Sequence, residues 1–427
     1  MALLAACRPT PQGAAAPPPA PARVKLGAEI LLEQHAGQLK GRRVGVVAHR
    51  ASVVYDSLHL VDALRAQGVV PVRVFAPEHG FRGQAEAGAP VADGRDSATG
   101  LPVVSLYGQN KKPQPHHLKD LDVLLFDLQD VGARFYTYLS TLTHVLEACA
   151  ETGVEVWVLD RPNPNGQYVG GPVLEPAFRS FVGLHPVPVV HGMTLGELAR
   201  LIRAQGWIAQ AKALRLTVIP AQGYRHRQTW AETGVRWVPP SPNLPTPFSA
   251  EVYPLICWFE GTDVSVGRGT DAPFEQVGAP WHRGLHRQVW MDGALNQRTD
   301  LVSDSLRGFA TAFVPRPIAG VAENPPHQGD SCFALRIVRL PAAGAERFRA
   351  AGALIDNFYR EHREAVQADK TPDRPFFNAK AFDGLAGSAA LREHLLAGRP
   401  LDSLFDRWER EARAFSRLRD AWRLYPD

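Results

Sequence analysis

The chain of 427 residues contains no run approaching the roughly 18 consecutive apolar residues that a membrane-spanning helix requires, so no span is expected. Charge of one sign is also missing. The 47 Lys and Arg stand against 43 Asp and Glu for a net charge of +4, and no basic run is interleaved with aromatics. That balance excludes nucleic acid as a partner. Cysteine is scarce, with four in the chain. Beyond Cys7, the three others (Cys149, Cys257 and Cys332) are too far apart for a disulfide framework or a metal knuckle, and are expected as small buried hydrophobes. Three signature motifs are absent as well. The turn after the first predicted strand reads Ala48-His49-Arg50-Ala51-Ser52 instead of G-x-G-x-x-G, which removes a dinucleotide site. Ser265 lacks the first Gly of a G-x-S-x-G elbow, and no H-E-x-x-H occurs. His116 and His117 adjoin, so their rings diverge along an extended chain. No metal is expected.

What is present begins at the N-terminus. Leu4-Ala5-Ala6-Cys7 resembles the bacterial lipobox, in which small residues admit the signal peptidase and the Cys thiol takes the lipid. Residues 8–23 are rich in Pro and Ala and cannot build a core, so they read as a semi-rigid tether. Residues 1–24 are therefore expected to be a signal remnant and tether on a periplasmic or extracellular lipoprotein that meets the membrane only through Cys7. The competing reading is a disordered start on a cytoplasmic protein.

The length suits two domains. From about residue 25, helical spacing at Ile30 to Leu39, Leu58 to Ala66, Tyr138 to Ala150 and Thr194 to Ala204 alternates with short β-branched runs. Those runs are Arg43 to Ala48, Val70 to Phe75, Asp122 to Phe126 and Val154 to Leu159. Nearly continuous apolar strands are buried on both faces, so residues 25–250 are predicted to form a Rossmann-like, doubly wound α/β domain on a parallel sheet. Past residue 250 the pattern changes to Pro- and Gly-rich loops, a strand at Cys332 to Leu340 and helices near Ala345 to Val366 and Leu401 to Phe415. A smaller α+β domain over 251–427 is expected to complete the cleft.

Ligands of an open parallel sheet bind at the carboxyl ends of its strands. Four predicted strands end in polar loops fixed by Gly or Pro, at Phe75 to Gly83, Asp127 to Tyr136, Asp160 to Gly166 and His191-Gly192. Glu78, after Pro77 and before His79-Gly80, has the restrained backbone a general acid needs, or else pairs with Arg82 and braces the loop. His79 would orient that carboxyl or touch substrate. Asp127, Asp130 and Arg134 surround Gly132, with Tyr136 following. Asp130 is the preferred second catalytic carboxylate, because Asp127 lies at the strand end, where capping would spend it, while Arg134 is open to a salt bridge. Asn163, in a rigid Asn-Pro turn, is a candidate reader of hydroxyl and amide groups, His191 is a candidate substrate-binding residue, and Arg161 reads equally well as a brace. Glu197 is explained by a capping box with Thr194. Pro239 to Pro245 fixes Asn243 in an extended loop, and Glu260 to Thr270 reads as a ligand-wrapping segment or a hinge.

Taken together, Phe75–Gly83 (FAPEHGFRG), Asp127–Tyr138 (DLQDVGARFYTY), Leu159–Gly166 (LDRPNPNG), Gly171–Glu175, Val190–Thr194, Ser241–Thr246 and Phe259–Thr270 (FEGTDVSVGRGT) resemble the NamZ-type exo-β-N-acetylmuramidase family. The turn at Ala48-His49-Arg50 departs from the Asn/Thr-rich turn usual there, and no substrate contact is expected from it. The resemblance implies release of N-acetylmuramic acid from the non-reducing end of peptidoglycan fragments, without a cofactor. In that chemistry Glu78 would protonate the glycosidic oxygen. Arg82 or Arg134 would pair with the lactyl carboxylate, and Asp130 would be base, nucleophile or partner of the acetamido group. The rival readings are a non-catalytic sugar- or muropeptide-binding lipoprotein, and an amidase or esterase acting on the same polymer.

Overall fold

A computed structural model describes residues 22–83, 88–89, 92–282, 306–368, 371 and 375–427. Cys7 and most of the expected tether lie outside the described residues. The tether's last residues belong to the fold instead: Arg23 pairs with Glu29 and Asp56, and Val24 is fully buried. Val24 and Leu26 alternate with polar neighbours, and their apolar side chains pack with Tyr224, Trp230 and Tyr425.

The main sheet is built from β1 (Val44–Ala48), β2 (Arg73–Ala76), β3 (Pro102–Ser105), β4 (Val123–Asp127), β5 (Glu155–Leu159) and β8 (Leu216–Ile219), in the order β8-β5-β4-β1-β2-β3. All these pairings are parallel, and a two-residue antiparallel edge at Gly94–Arg95 closes one side. The doubly wound α/β arrangement expected from the apolar runs is present. Alternate residues explain it. Val47, Leu124, Phe126, Val156 and Val158 enter one core, while Val44, Val46, Val123, Leu125 and Trp157 enter another on the opposite face. The first of these cores continues through the C-terminal half as far as Phe415.

Several elements differ from expectation for local reasons. The strand predicted from Val70 starts at Arg73, because Pro71 has no N–H to give to a ladder. The helix predicted from Leu58 starts later as α1 (Leu60–Ala66), since the His59 side chain accepts from Val61 N and caps it. Ile30 to Leu39 passes from α through π to 3₁₀ geometry instead of forming one regular helix. The expected parallel strand before His191 is β7 (Pro188–Val190), which pairs antiparallel with β6 (Gly170–Val173) in a separate two-stranded sheet. It still reaches the main sheet's edge, because Val190 bridges Ala133 and Arg134 N donates to Val189 O.

Helix α2 (Tyr138–Thr152) ends at Gly153 in the left-handed region, as a C-terminal glycine allows. Helix α3 (Leu195–Gln205) starts with the expected Thr194–Glu197 capping box. After α4 (Pro247–Ile256), the strands β9 (Gln276–Ala279), β10 (Arg307–Phe313) and β11 (Cys332–Arg339) form an antiparallel sheet in the order β9-β11-β10. It is followed by α5 (Ala345–Gln367), α6 (Ala379–Ala386), α7 (Ala390–Leu396) and α8 (Asp402–Asp420). Cys149, Cys257 and Cys332 are buried free thiols, as their spacing suggested.

Candidate functional site

The register of the sheet assembles the site. Ala48 pairs with Asp127 across β1 and β4, and Ala76 with Ser105 across β2 and β3, so these strand ends are level. Strand order turns back on itself at β1 and β4, where a doubly wound sheet opens a crevice at its carboxyl edge. His49-Arg50, Glu78, Tyr107 and the loop from Asp127 to Tyr136 all leave the sheet at this edge.

Glu78 is half-buried, with both carboxyl oxygens held. Oε1 accepts from Gly88 N at 2.8 Å and Oε2 from Thr137 Oγ1 at 2.7 Å. Thr137 occupies the N-cap position of α2, yet its hydroxyl makes no capping bond and goes to Glu78. The positive end of α2 therefore adjoins a carboxylate, a favourable placement. Burial and the nearby Glu78 carboxyl push the Tyr107 phenol up. The alternative Glu78–Arg82 brace does not form. Arg82 donates instead to Asp96 at 3.0 and 2.8 Å, with Asp62 at 3.8 Å, and holds the Asp96 carboxyl down at about 2. Arg82 is thus not available to a substrate carboxylate.

Behind Glu78 runs a buried relay that sequence reasoning missed. Gln129 N donates to His49 Nε2 at 3.1 Å, and a backbone N–H can only donate, so the ring proton sits on Nδ1. That nitrogen faces Tyr138 Oη at 3.1 Å, and the Tyr138 hydroxyl lies 3.1 Å from Pro240 O and 3.3 Å from Glu78 O. Burial, reinforced by the Arg161 charge, holds His49 well below the usual imidazole range, so it stays neutral. The signal in the sequence was only position: His49 follows the first strand, where the crevice opens.

Asp130 follows Gln129, whose N–H holds His49. Gly132, at φ 77°, folds its loop so that Gly132 N donates to Asp130 Oδ2 at 2.7 Å. Asp130 Oδ1 is buried without a partner among the described residues, and burial pushes the carboxyl up to about 7. Met193 N donates to His191 Nδ1, which leaves the ring proton on Nε2. His191 Nε2, also unpartnered among the described residues, lies 3.9 Å from Asp130 Oδ2, and burial with the Arg419 charge pushes this imidazole down to about 3. The Tyr136 hydroxyl is buried beside that of Tyr138 without a hydrogen bond of good geometry. The Glu78 and Asp130 charges both act on Tyr136 and on Tyr138, whose rings meet at 4.8 Å, so both carboxyls lie in the neighbourhood of one pair of phenols.

Other expected ligands are occupied by the scaffold. Arg134 is fully buried and donates to the carbonyls of Pro172, Val187, Leu385 and Ala386, so it forms no salt bridge with Asp127 or Asp130 and cannot meet a substrate carboxylate. Asp127 accepts from Arg161 Nε and Nη2, at 2.6 and 2.9 Å, and Arg161 is thereby a brace. Asn163 donates to Met193 O and accepts from Asn165 N, packing beneath Gly132. Asn243 donates to Val321 O, tying its loop to the C-terminal half, while its Oδ1 is unpartnered among the described residues. His79 is buried with φ 71°, a conformation that costs strain for a residue with a side chain, and its charge would act on His49.

Comparison with known proteins bears on this geometry. The family model for exo-β-N-acetylmuramidase NamZ, N-terminal, matches residues 44–248, and that for its C-terminal part matches residues 251–425. Peptidoglycan β-N-acetylmuramidase NamZ of Bacillus subtilis (strain 168) is 36% identical over 405 residues, 94% of this chain and 92% of the relative. Two crystal structures of DUF1343 family proteins from Bacteroides fragilis superpose with TM-scores of 0.74 and 0.77, at 34% and 29% identity. They cover 95% and 94% of this chain, and 100% and 99% of their own. The motifs at the strand ends and these matches along the chain agree: it belongs to the NamZ exo-β-N-acetylmuramidase family.

Proposed function

We propose that this protein is an exo-acting glycoside hydrolase that removes N-acetylmuramic acid from the non-reducing end of peptidoglycan fragments. The observation that carries the reading is that Glu78 and Asp130 follow strands ending at the same sheet edge, in a chain 36% identical to a peptidoglycan β-N-acetylmuramidase. Glu78, half-exposed and fixed by two donors, is the general acid that protonates the departing oxygen. Asp130 and His191 are buried and offer an unpartnered acceptor and an unpartnered N–H, which complement the N–H and carbonyl of a 2-acetamido group. That assigns Asp130 to holding the acetamido group, in preference to base or nucleophile.

The division near residue 250 and export with a lipid on Cys7 are part of the same proposal. They are supported by the abutting family matches and by the Leu4–Cys7 pattern respectively. Mass spectrometry of the full-length product from membranes should find acylated Cys7, and an unmodified thiol would remove the anchor. The activity is tested with 4-nitrophenyl N-acetyl-β-muraminide. Release of nitrophenolate together with free N-acetylmuramic acid is expected. Tight binding of the sugar without turnover would favour a binding lipoprotein instead.

A further inference from the structure

The family's characteristic substrate unit carries a carboxylate on its 3-O-lactyl ether, yet both arginines expected to meet it are committed to protein partners. Arg82 is held by Asp96 and Asp62, and Arg134 by four backbone carbonyls. Arg161 is held by Asp127, and Arg419 by the carbonyls of His191 and Gly192. Arg50 is different. It follows β1 at the point where the crevice opens, is half-buried, and among the described residues makes no hydrogen bond or ion pair. Its aliphatic stem lies against Gly83, at φ 72°, where an added Cβ would collide with Cβ, Cγ and Cδ of Arg50. The stem is thus seated on the loop that carries Glu78. Its charge acts on His49 and on Tyr138, whose hydroxyl lies beside the Glu78 carbonyl.

A half-desolvated guanidinium without a partner is costly, and a planar carboxylate is the partner its fork fits best. Resting on the muramidase reading, we propose that Arg50 binds the lactyl carboxylate and so sets the preference for N-acetylmuramic acid over sugars lacking that group. Arg50 is then a specificity-determining residue contributed by the one strand-end turn from which no substrate contact was expected.

The test compares wild type, Arg50→Gln and Arg50→Lys on 4-nitrophenyl N-acetyl-β-muraminide and on its lactyl amide, which is neutral and nearly the same shape. Wild type should favour the acid by about 10- to 100-fold in kcat/KM, mostly through KM, as hydrogen bonds to a charged group imply. Arg50→Gln should bring that ratio to within about threefold of unity, and Arg50→Lys should keep an intermediate ratio because it retains the charge without the fork. Calorimetry with free N-acetylmuramic acid and its amide should show the same loss of discrimination, independently of turnover. An Arg50→Gln protein with unchanged melting temperature that still discriminates as wild type does would overturn the assignment while leaving the muramidase reading intact. Wild type inactive on both glycosides would remove both.

Discussion

Nε2 of His191 stands 3.9 Å from Oδ2 of Asp130, beyond hydrogen-bond reach, with both side chains almost wholly buried. The separation is set by backbone. Met193 N fixes the His191 ring from its other side, and Gly132 N fixes the Asp130 carboxyl. A donor and an acceptor held apart in this way leave their hydrogen-bonding capacity to a third group, either a water or a substrate amide.

Asp130 should make stability depend on pH in a defined window. Its folded value of about 7 lies above the ordinary 3.8, so from about pH 4 upward the folded state keeps a proton that the unfolded chain has released. The contribution is fully present below pH 4 and is lost as pH rises through 7. His191, depressed to about 3, has the opposite sense, losing stability as pH falls, and is common to both proteins compared. Thermal melts of Asp130→Asn and wild type should therefore diverge in favour of the variant from pH 4 to 7, by an amount on the order of a few kcal/mol, and run parallel above. Parallel curves throughout would mean that Asp130 is ionised in the fold.

Arg134 should behave as a structural residue. Replacing it with Met leaves the carbonyls of Pro172, Val187, Leu385 and Ala386 buried without their donor and loosens the β6–β7 hairpin from the C-terminal end of α6. A loss of about 3–5 kcal/mol in unfolding free energy is expected. KM of the folded enzyme should change little. A variant with wild-type stability and a raised KM would return Arg134 to the substrate.

Gly132→Ala should damage activity beyond its effect on stability. The position has φ 77°, and an added Cβ would collide with the Asn163 carboxamide, so the Asp130 loop must move. The strain costs about 1–3 kcal/mol, and kcat/KM should fall at least tenfold at temperatures where the protein remains folded. Unchanged kinetics would show that the loop's position is immaterial to the reaction.

The parallel sheet was legible because its strands are buried on both faces and so read as unbroken apolar runs at Arg43, Asp122 and Val154. The strand-end loops that carry Glu78 and Asp130 followed from it. The ownership of each arginine was not legible. Nothing around Arg82 announces that Asp96, fourteen residues on, will take its guanidinium, and the carbonyls of Leu385 and Ala386 that hold Arg134 come from some 250 residues away. His191 was expected at a parallel strand end and arrives from an antiparallel hairpin, since three apolar residues bounded by Pro carry no sign of direction. His49 and Arg50 lie in the turn that departs from the family pattern, and Tyr138 stands where helical spacing begins, so nothing in the residues themselves marks these positions or Thr137 as part of the site.

Glu78→Gln tests the acid itself, and the geometry makes it a clean substitution. Gly88 N can only donate, so the Gln carbonyl oxygen takes the Oε1 place, and its NH₂ faces Thr137 Oγ1, a hydroxyl able to accept as well as donate. The fold should therefore change by no more than about 1 kcal/mol. Gln cannot supply a proton. On a natural disaccharide, whose leaving alkoxide needs protonation, turnover should fall by about 10²–10⁴-fold. On the 4-nitrophenyl glycoside the loss should be much smaller, because nitrophenolate departs with little help. Equal losses on both substrates would assign Glu78 to positioning or to attack at the anomeric carbon. Full activity of a folded Glu78→Gln enzyme on the disaccharide would remove it from the mechanism and make Asp130 the next residue to replace.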